Sequence, residues 1–210
     1  MNLLNIKSDQ FNKEYYENGI KNKISGYENF HWIPTRSFSE AIEIINRFNF
    51  NSCVDYGCAK GFLVHALRKL GKEAYGEDIS DYAIENSDEK IKKFITKPTY
   101  KIVDFIICKD VMEHVPENEV VETFKYLRNR CKEALFTIPL GDNNILRIRE
   151  YEIDITHVTK KDEDWWIDAL NESGFKIKDF RYSMGDIKEK WKDYKYGNGF
   201  FHVLKDERKI

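Results

Sequence analysis

Two groups of residues in this sequence have the types and spacing to do chemistry. The first is Asp110-Val111-Met112-Glu113-His114, in which two carboxylates and an imidazole stand at i, i+3 and i+4. One helical turn would bring them to a single face. Downstream, Asp154-Ile155-Thr156-His157 adds a second imidazole. Asp110, Glu113, His114 and His157 together offer oxygen and nitrogen donors suited to a divalent ion such as magnesium or manganese, with open positions for a substrate. Without an ion, His157, His114 and Glu113 suit the removal of a proton from a hydroxyl. A third reading is structural, with Glu113 capping the next helix and His114 a packed polar residue. Pro116 limits any turn here, because Val115 before it is biased away from helix.

The second group is Asp55-Tyr56-Gly57-Cys58-Ala59-Lys60-Gly61, between the apolar run at Cys53-Val54 and the helical pattern FLVHALRKLG. This reads as strand, glycine loop and helix. Glycines let backbone turn tightly against a ligand, and the helix start presents unpaired N–H groups to an anion. The next strand, read over 73–79, carries Asp78 about 20 residues past the loop, where a carboxylate can accept hydrogen bonds from ribose hydroxyls. The combination specifies a nucleoside cofactor. A nicotinamide fingerprint would need glycine where Ala59 and Phe62 stand.

The elements that must position these groups read as strands alternating with helices, the pattern of a parallel sheet covered on both faces. A length of 210 residues suits one domain with a full core. Residues 1–36, rich in Asn, Lys and aromatics such as Phe11, Tyr15, Tyr16, Tyr27, Phe30 and Trp32, lack clear periodicity and read as an arm or cap laid over a domain of residues 37–210. A helix is expected from about Ser37, where Ala41, Ile42, Ile44, Ile45 and Phe48 form an apolar stripe. Between the second and fourth strands the chain is short and Lys-rich from Lys90 to Lys101, and no acidic residue stands out there to bind an adenine.

The glycine loop resembles motif I of class I S-adenosylmethionine-dependent methyltransferases, an acidic residue leading into D-x-G-x-x-x-G, here Asp55, Gly57 and Gly61. The resemblance extends through GEDIS after strand two, DFIICKDVMEHVPENE around strand four, EALFTIPL as strand five, and GFKIKDF and GFFHVLK as strands six and seven. It is strongest toward the branch of quinone-biosynthesis O-methyltransferases, surface-glycan methyltransferases and small-RNA 2'-O-methyltransferases. It implies a Rossmann-like α/β fold with a seven-stranded, mostly parallel sheet in the order 3-2-1-4-5-7-6. It also implies S-adenosylmethionine held by Asp55, Gly57, Gly61, Asp78, Ile79 and Lys109, with Arg36 facing the methionine carboxylate. Some members of that branch place a magnesium-type ion on comparable E-x-x-E-H residues. Ala59 stands where most members carry a glycine.

Net charge is -2, with basic residues spread along the chain, so no strong field favours nucleic acid or an anionic membrane. Together with the hydroxyl-activating groups, this favours a small-molecule acceptor, first a sugar or glycan precursor, then a phenolic or quinone-type hydroxyl, with an RNA 2'-hydroxyl further down. A reading from another class is a non-catalytic cofactor-binding subunit of a complex. Cys53, Cys58, Cys108 and Cys131 form no C-x-x-C pair and are expected to be free thiols in a reducing compartment. No apolar stretch approaches the roughly 20 residues of a membrane span, and Met1 to Gln10 lack a signal-peptide pattern, so a cytoplasmic location is expected. His65 is expected to be half-buried core. Of Trp165 and Trp166, one ring is expected in the core and one toward the acceptor pocket or arm. Lys188 to Tyr196 should form a solvated helix packing Trp191 inward.

Overall fold

A computed structural model describes residues 8–208. Residues 1–7 of the expected arm and 209–210 of the expected domain lie outside the described residues. The main sheet contains β1 (Ser52–Tyr56), β2 (Glu73–Glu77), β3 (Ile95–Thr96), β4 (Phe105–Lys109), β5 (Glu133–Pro139), β6 (Phe175–Arg181) and β7 (Asn198–Lys205). Counted by these strands alone, the order is 3-2-1-4-5-7-6. The first five pair in parallel, and β7 runs antiparallel between β5 and β6. A separate two-stranded hairpin, Gly141–Asp142 with Ile145–Leu146, follows β5.

Strands β1, β4 and β5 are apolar almost without alternation because both faces are covered. On one face α6 (Val120–Arg128) and α7 (Glu163–Glu172) pack with Ile106, Phe124, Phe136, Trp166 and Phe201. On the other, α3 (Pro34–Arg47) and α4 (Phe62–Lys69) pack with Ile44, Leu67, Phe105 and Ile107. Helix α3 starts at Pro34, earlier than the apolar stripe indicates, since proline suits the first helical position, where its missing N–H costs nothing. The expected boundary at residue 36 therefore falls inside α3. The third strand, hidden in the Lys-rich stretch, is two residues long, too short for a hydrophobic pattern. No helix among the described residues is long and apolar enough to cross a membrane.

The arm carries two short helices, α1 (Lys13–Glu17) and α2 (Gly19–Asn22). Its Phe11, Tyr15 and Tyr16 are buried with Ala83, and Tyr27, Phe30, Ile79 and Tyr82 pack around them. Burying three such side chains is worth about 1.5–3 kcal/mol each, so the arm belongs to the folded body. Lys60, from the glycine loop, reaches into it: its Nζ donates to Glu17 Oε1 at 2.6 Å and to the Phe30 carbonyl at 2.7 Å. Tyr82, at the start of α5 (Asp81–Glu85), donates to the same Glu17 oxygen.

Candidate active site

A cleft opens over the C-terminal ends of β1, β2 and β4, and the arm covers it. The glycine loop is shaped by its backbone bonds. Gly57 and Cys58 N–H both donate to the Glu77 carbonyl, at 2.7 and 3.1 Å, and Gly57 has φ 79°, where an added Cβ would run into Val111. Ala59 also sits in the left-handed region, at φ 49°, a conformation that costs an alanine roughly 1–2 kcal/mol. Its N–H donates to Asp78 Oδ2 at 2.7 Å, which helps hold that conformation. Gly61 caps α4 with φ 76° beneath Ile91 and Ile95. It shapes the turn and, unlike the other residues assigned to the cofactor, does not line the cleft.

Asp55, Gly57, Asp78, Ile79, Lys109 and Arg36 all line the cleft. Asp78 is buried, and its two oxygens take backbone N–H groups of Ala59 and Ser80. Each oxygen keeps a lone pair for a further donor, so the carboxylate braces the loop as well as facing the cavity. Burial raises the Asp55 carboxyl to about 7, with Lys109 opposing the rise and Glu40 and Asp78 adding to it. Lys109 Nζ lies 2.6 Å from Glu40 Oε2. Arg36 stands at the rim with its side chain 57% exposed.

The other wall comes from segments far apart in sequence. Asp110 follows β4 with φ 56°, and Met112–His114 is a single 3-10 turn ended by extended Val115 before Pro116. The expected helical face therefore does not form. The Asp110 carboxylate turns instead to Lys188 Nζ, which also donates to Asn198 Oδ1 at 2.5 Å. Asp110 is thus absent from the group that could hold an ion, which consists of Glu113, His114 and His157 with ligand atoms within 4.8 Å of one another. Val158 and Thr159 N–H donate to the Glu113 carbonyl at 2.9 and 3.0 Å, and Thr159 Oγ1 donates to the Val115 carbonyl at 2.6 Å. These bonds bring His157 to the turn, 4.0 Å from Glu113 Oε1 and with its ring centroid 4.7 Å from that of His114.

The hydrogen bonds fix both imidazole tautomers. His157 Nδ1–H donates to the Tyr151 carbonyl at 2.8 Å, which leaves Nε2 with a bare lone pair. Thr156 Oγ1 donates to Asp154 and so accepts from His114 Nδ1–H at 2.8 Å; the Nε2 of His114 is bare as well. Tyr15, from the arm, donates to the other Asp154 oxygen at 2.7 Å. Burial lowers His114 to about 4 and also lowers His157, so both rings are neutral at pH 7. Glu113 is fully buried, neither of its side-chain oxygens has a hydrogen-bond partner among the described residues, and burial and then Asp110 push its carboxyl well up. His114 lines the cleft, with Glu113 and His157 beside it.

A family model described as "Methyltransferase domain" matches residues 31–179. The chain belongs to this methyltransferase domain family. A curated relative, the ubiquinone biosynthesis O-methyltransferase of Methylococcus capsulatus, is 29% identical over 77 residues, which are 30% of this chain and 32% of that protein. The chain thus matches about a third of that relative's length. Among solved structures, an Archaeoglobus fulgidus SAM-dependent methyltransferase aligns with TM-score 0.63 at 15% identity, covering 82% of this chain and 95% of that one. The magnesium protoporphyrin IX methyltransferase of Synechocystis with bound SAH aligns with TM-score 0.61 at 16% identity, over 94% and 93%. At these identities the likeness is one of fold.

Within this methyltransferase domain, sequence reasoning missed Glu40, Lys188 and Asn198, and it did not foresee the bond from Tyr15 to Asp154. Glu40 sits on the buried face of α3 beside Ser37, Ala41 and Ile44, and Lys188 and Asn198 act only through partners distant in the chain. Trp166 is core, as expected, but Trp165 packs against the same core and under Lys161 instead of facing the cleft or arm. His65 is buried, 2% exposed, and stacks on Trp32. Around Trp191 there is one 3-10 turn, Glu189–Trp191, in place of a helix, with the ring against Tyr151. All four cysteines are free and buried.

Proposed function

We propose that this protein is an S-adenosylmethionine-dependent methyltransferase that methylates a hydroxyl of a small molecule, with a sugar or glycan precursor the first candidate acceptor. When bound, the cofactor supplies a methyl group on a positively charged sulfur. Asp78 and Ile79 would hold its adenosine, the backbone at Gly57 its amino-acid chain, and Asp55, Lys109 and Arg36 the charged end. Such transfer is an in-line displacement, so the protein's first task is alignment. Its second is to take the proton that the acceptor hydroxyl loses as its oxygen gains the methyl group. His157 and His114 can receive it at Nε2, their Nδ1–H groups being already committed.

The observation that carries this reading is the buried Glu113 carboxyl group, neither of whose oxygens has a hydrogen-bond partner among the described residues, set beside two neutral imidazoles at the cleft. The donor set fits a divalent ion, held by Glu113, His114 and His157, which when bound would make the hydroxyl more acidic. With Asp110 committed to Lys188, two nitrogens and one carboxylate remain, a set poorer in oxygen than magnesium prefers. Manganese or zinc is therefore expected to bind ahead of magnesium.

Titration of the EDTA-treated protein with manganese, zinc and magnesium, followed by calorimetry and then by methyl transfer, tests both versions. Binding that disappears in Glu113→Gln, with activity restored by the ion, supports the ion; full activity in EDTA supports the imidazoles alone. Near-normal turnover in both His157→Ala and His114→Ala would defeat both. Tight cofactor binding with no turnover on any hydroxyl acceptor would favour the non-catalytic subunit.

A phenolic or quinone-type acceptor is the second reading. The aromatic lining from Phe11, Tyr15 and Tyr27 and the ubiquinone biosynthesis relative both support it. The described part of the arm, residues 8–33, would serve in either case as a cap over cofactor and acceptor. The four free thiols support a cytoplasmic location.

A further inference from the structure

The floor of the cleft holds a carboxylate that no sequence motif marked. Glu40 lies on α3, lines the cleft and is 5% exposed. Its Oε2 accepts from Lys109 Nζ at 2.6 Å. Its Oε1 is buried without a hydrogen-bond partner among the described residues, with Arg36 Nε 4.0 Å away. Asp55 lines the same floor, and Glu40 is one of the charges that, after burial, push its carboxyl up. A buried carboxylate oxygen left unpaired is costly. Two acidic groups facing one cavity beside Lys109 and Arg36 therefore suit a ligand that brings a cation and an anion together.

We infer that Glu40 is a cofactor-selecting residue: with Asp55 it holds the α-ammonium group of the cofactor's amino-acid end, while Lys109 and Arg36 take the adjacent α-carboxylate. The inference rests on the proposed use of S-adenosylmethionine. An α-amino acid carries both charges on one carbon, so a site that reads it needs acidic and basic side chains side by side, as Glu40 and Lys109 are. A nucleoside polyphosphate, by contrast, would bring its negative charge toward Glu40, Asp55 and Asp78 and be repelled.

Calorimetry with two ligands isolates the role. S-adenosylhomocysteine carries the amino-acid end, whereas 5'-methylthioadenosine keeps the adenosine and the thioether sulfur but lacks it. Glu40→Gln, nearly the same size, should weaken S-adenosylhomocysteine by about 10–100-fold, the range expected for a lost charged hydrogen bond. It should leave 5'-methylthioadenosine within about twofold, and Glu40→Asp should recover part of the loss. Equal losses for both ligands would mean that Glu40 only shapes the pocket, and unchanged S-adenosylhomocysteine affinity would remove it from the site; either result overturns the inference. A wild-type protein that binds neither ligand overturns the proposed cofactor itself, and the inference with it.

Discussion

The two sides of the cleft are built on different principles. The side proposed for the cofactor is local at its adenosine end, where β1, the glycine loop, α4 and β2 follow one another in the chain and their backbone bonds set the geometry. Only its charged end draws on α3 and β4, through Glu40 and Lys109. The opposite side is assembled from the arm, the turn after β4, the loop at 154–159 and the segment around Lys188, joined by side chains. Tyr15 and Asp154 are 139 positions apart, and Lys188 and Asp110 are 78 apart. A local site keeps its shape if its fold forms at all. A site assembled from distant segments depends on every one of them docking.

Substitutions can break or sharpen that contrast. The largest effect is expected on the assembled side: His157→Ala should lower turnover by about 10²–10⁴-fold, the usual cost of losing a general base, with cofactor affinity unchanged by calorimetry. A parallel loss of affinity would show that the two sides are not independent. On the local side, Asp78→Ala should weaken cofactor binding by about 1.5–3 kcal/mol for each charged hydrogen bond lost. It should also loosen the loop, since Ala59 and Ser80 lose their acceptor; unchanged affinity would move the ribose contact elsewhere.

A smaller effect comes from pH. Burial raises the Asp55 carboxyl to about 7, against Lys109 and aided by Glu40 and Asp78. A cationic ligand favours the ionised form, so affinity should fall by up to about tenfold per unit as pH drops below 7. Folding of the ligand-free protein gains from the same group at low pH and loses that gain as pH rises through about 7. Calorimetric titrations at pH 6 and pH 8 that give equal affinities would remove Asp55 from the cation's surroundings. Smallest of all, Tyr15→Phe should cost about 1 kcal/mol of stability in thermal unfolding without altering cofactor affinity.

The same contrast explains what could be read from the sequence. Asp55, Gly57 and Asp78 were legible because a strand, a tight turn and a second strand leave their marks within one short stretch. The approach of His157 to His114 could be suspected from residue types alone, but its cause lies in no motif: backbone bonds from Val158 and Thr159 to the Glu113 carbonyl produce it. The direction of the Asp110 side chain could not be read for a similar reason. The i, i+3, i+4 spacing presumes a helix, and a left-handed residue followed by a 3-10 turn sends Asp110 toward Lys188. Glu40 escaped notice because a single glutamate beside the apolar stripe of α3 carries no signal until Lys109 is placed beside it.

Lys60 has a kinetic consequence. Its ammonium is bonded to Glu17 and to the Phe30 carbonyl, so it fastens the glycine loop to the arm that roofs the cleft. Neither Glu17 nor Phe30 is among the residues proposed to hold the cofactor or take the proton, so these bonds are not spent on an occupant. A fastening of that kind cancels from the equilibrium between free and bound protein. If ligands pass beneath the arm, it would act on the passage between them, slowing entry and exit by the same factor, and residence time would then follow how often the arm lifts.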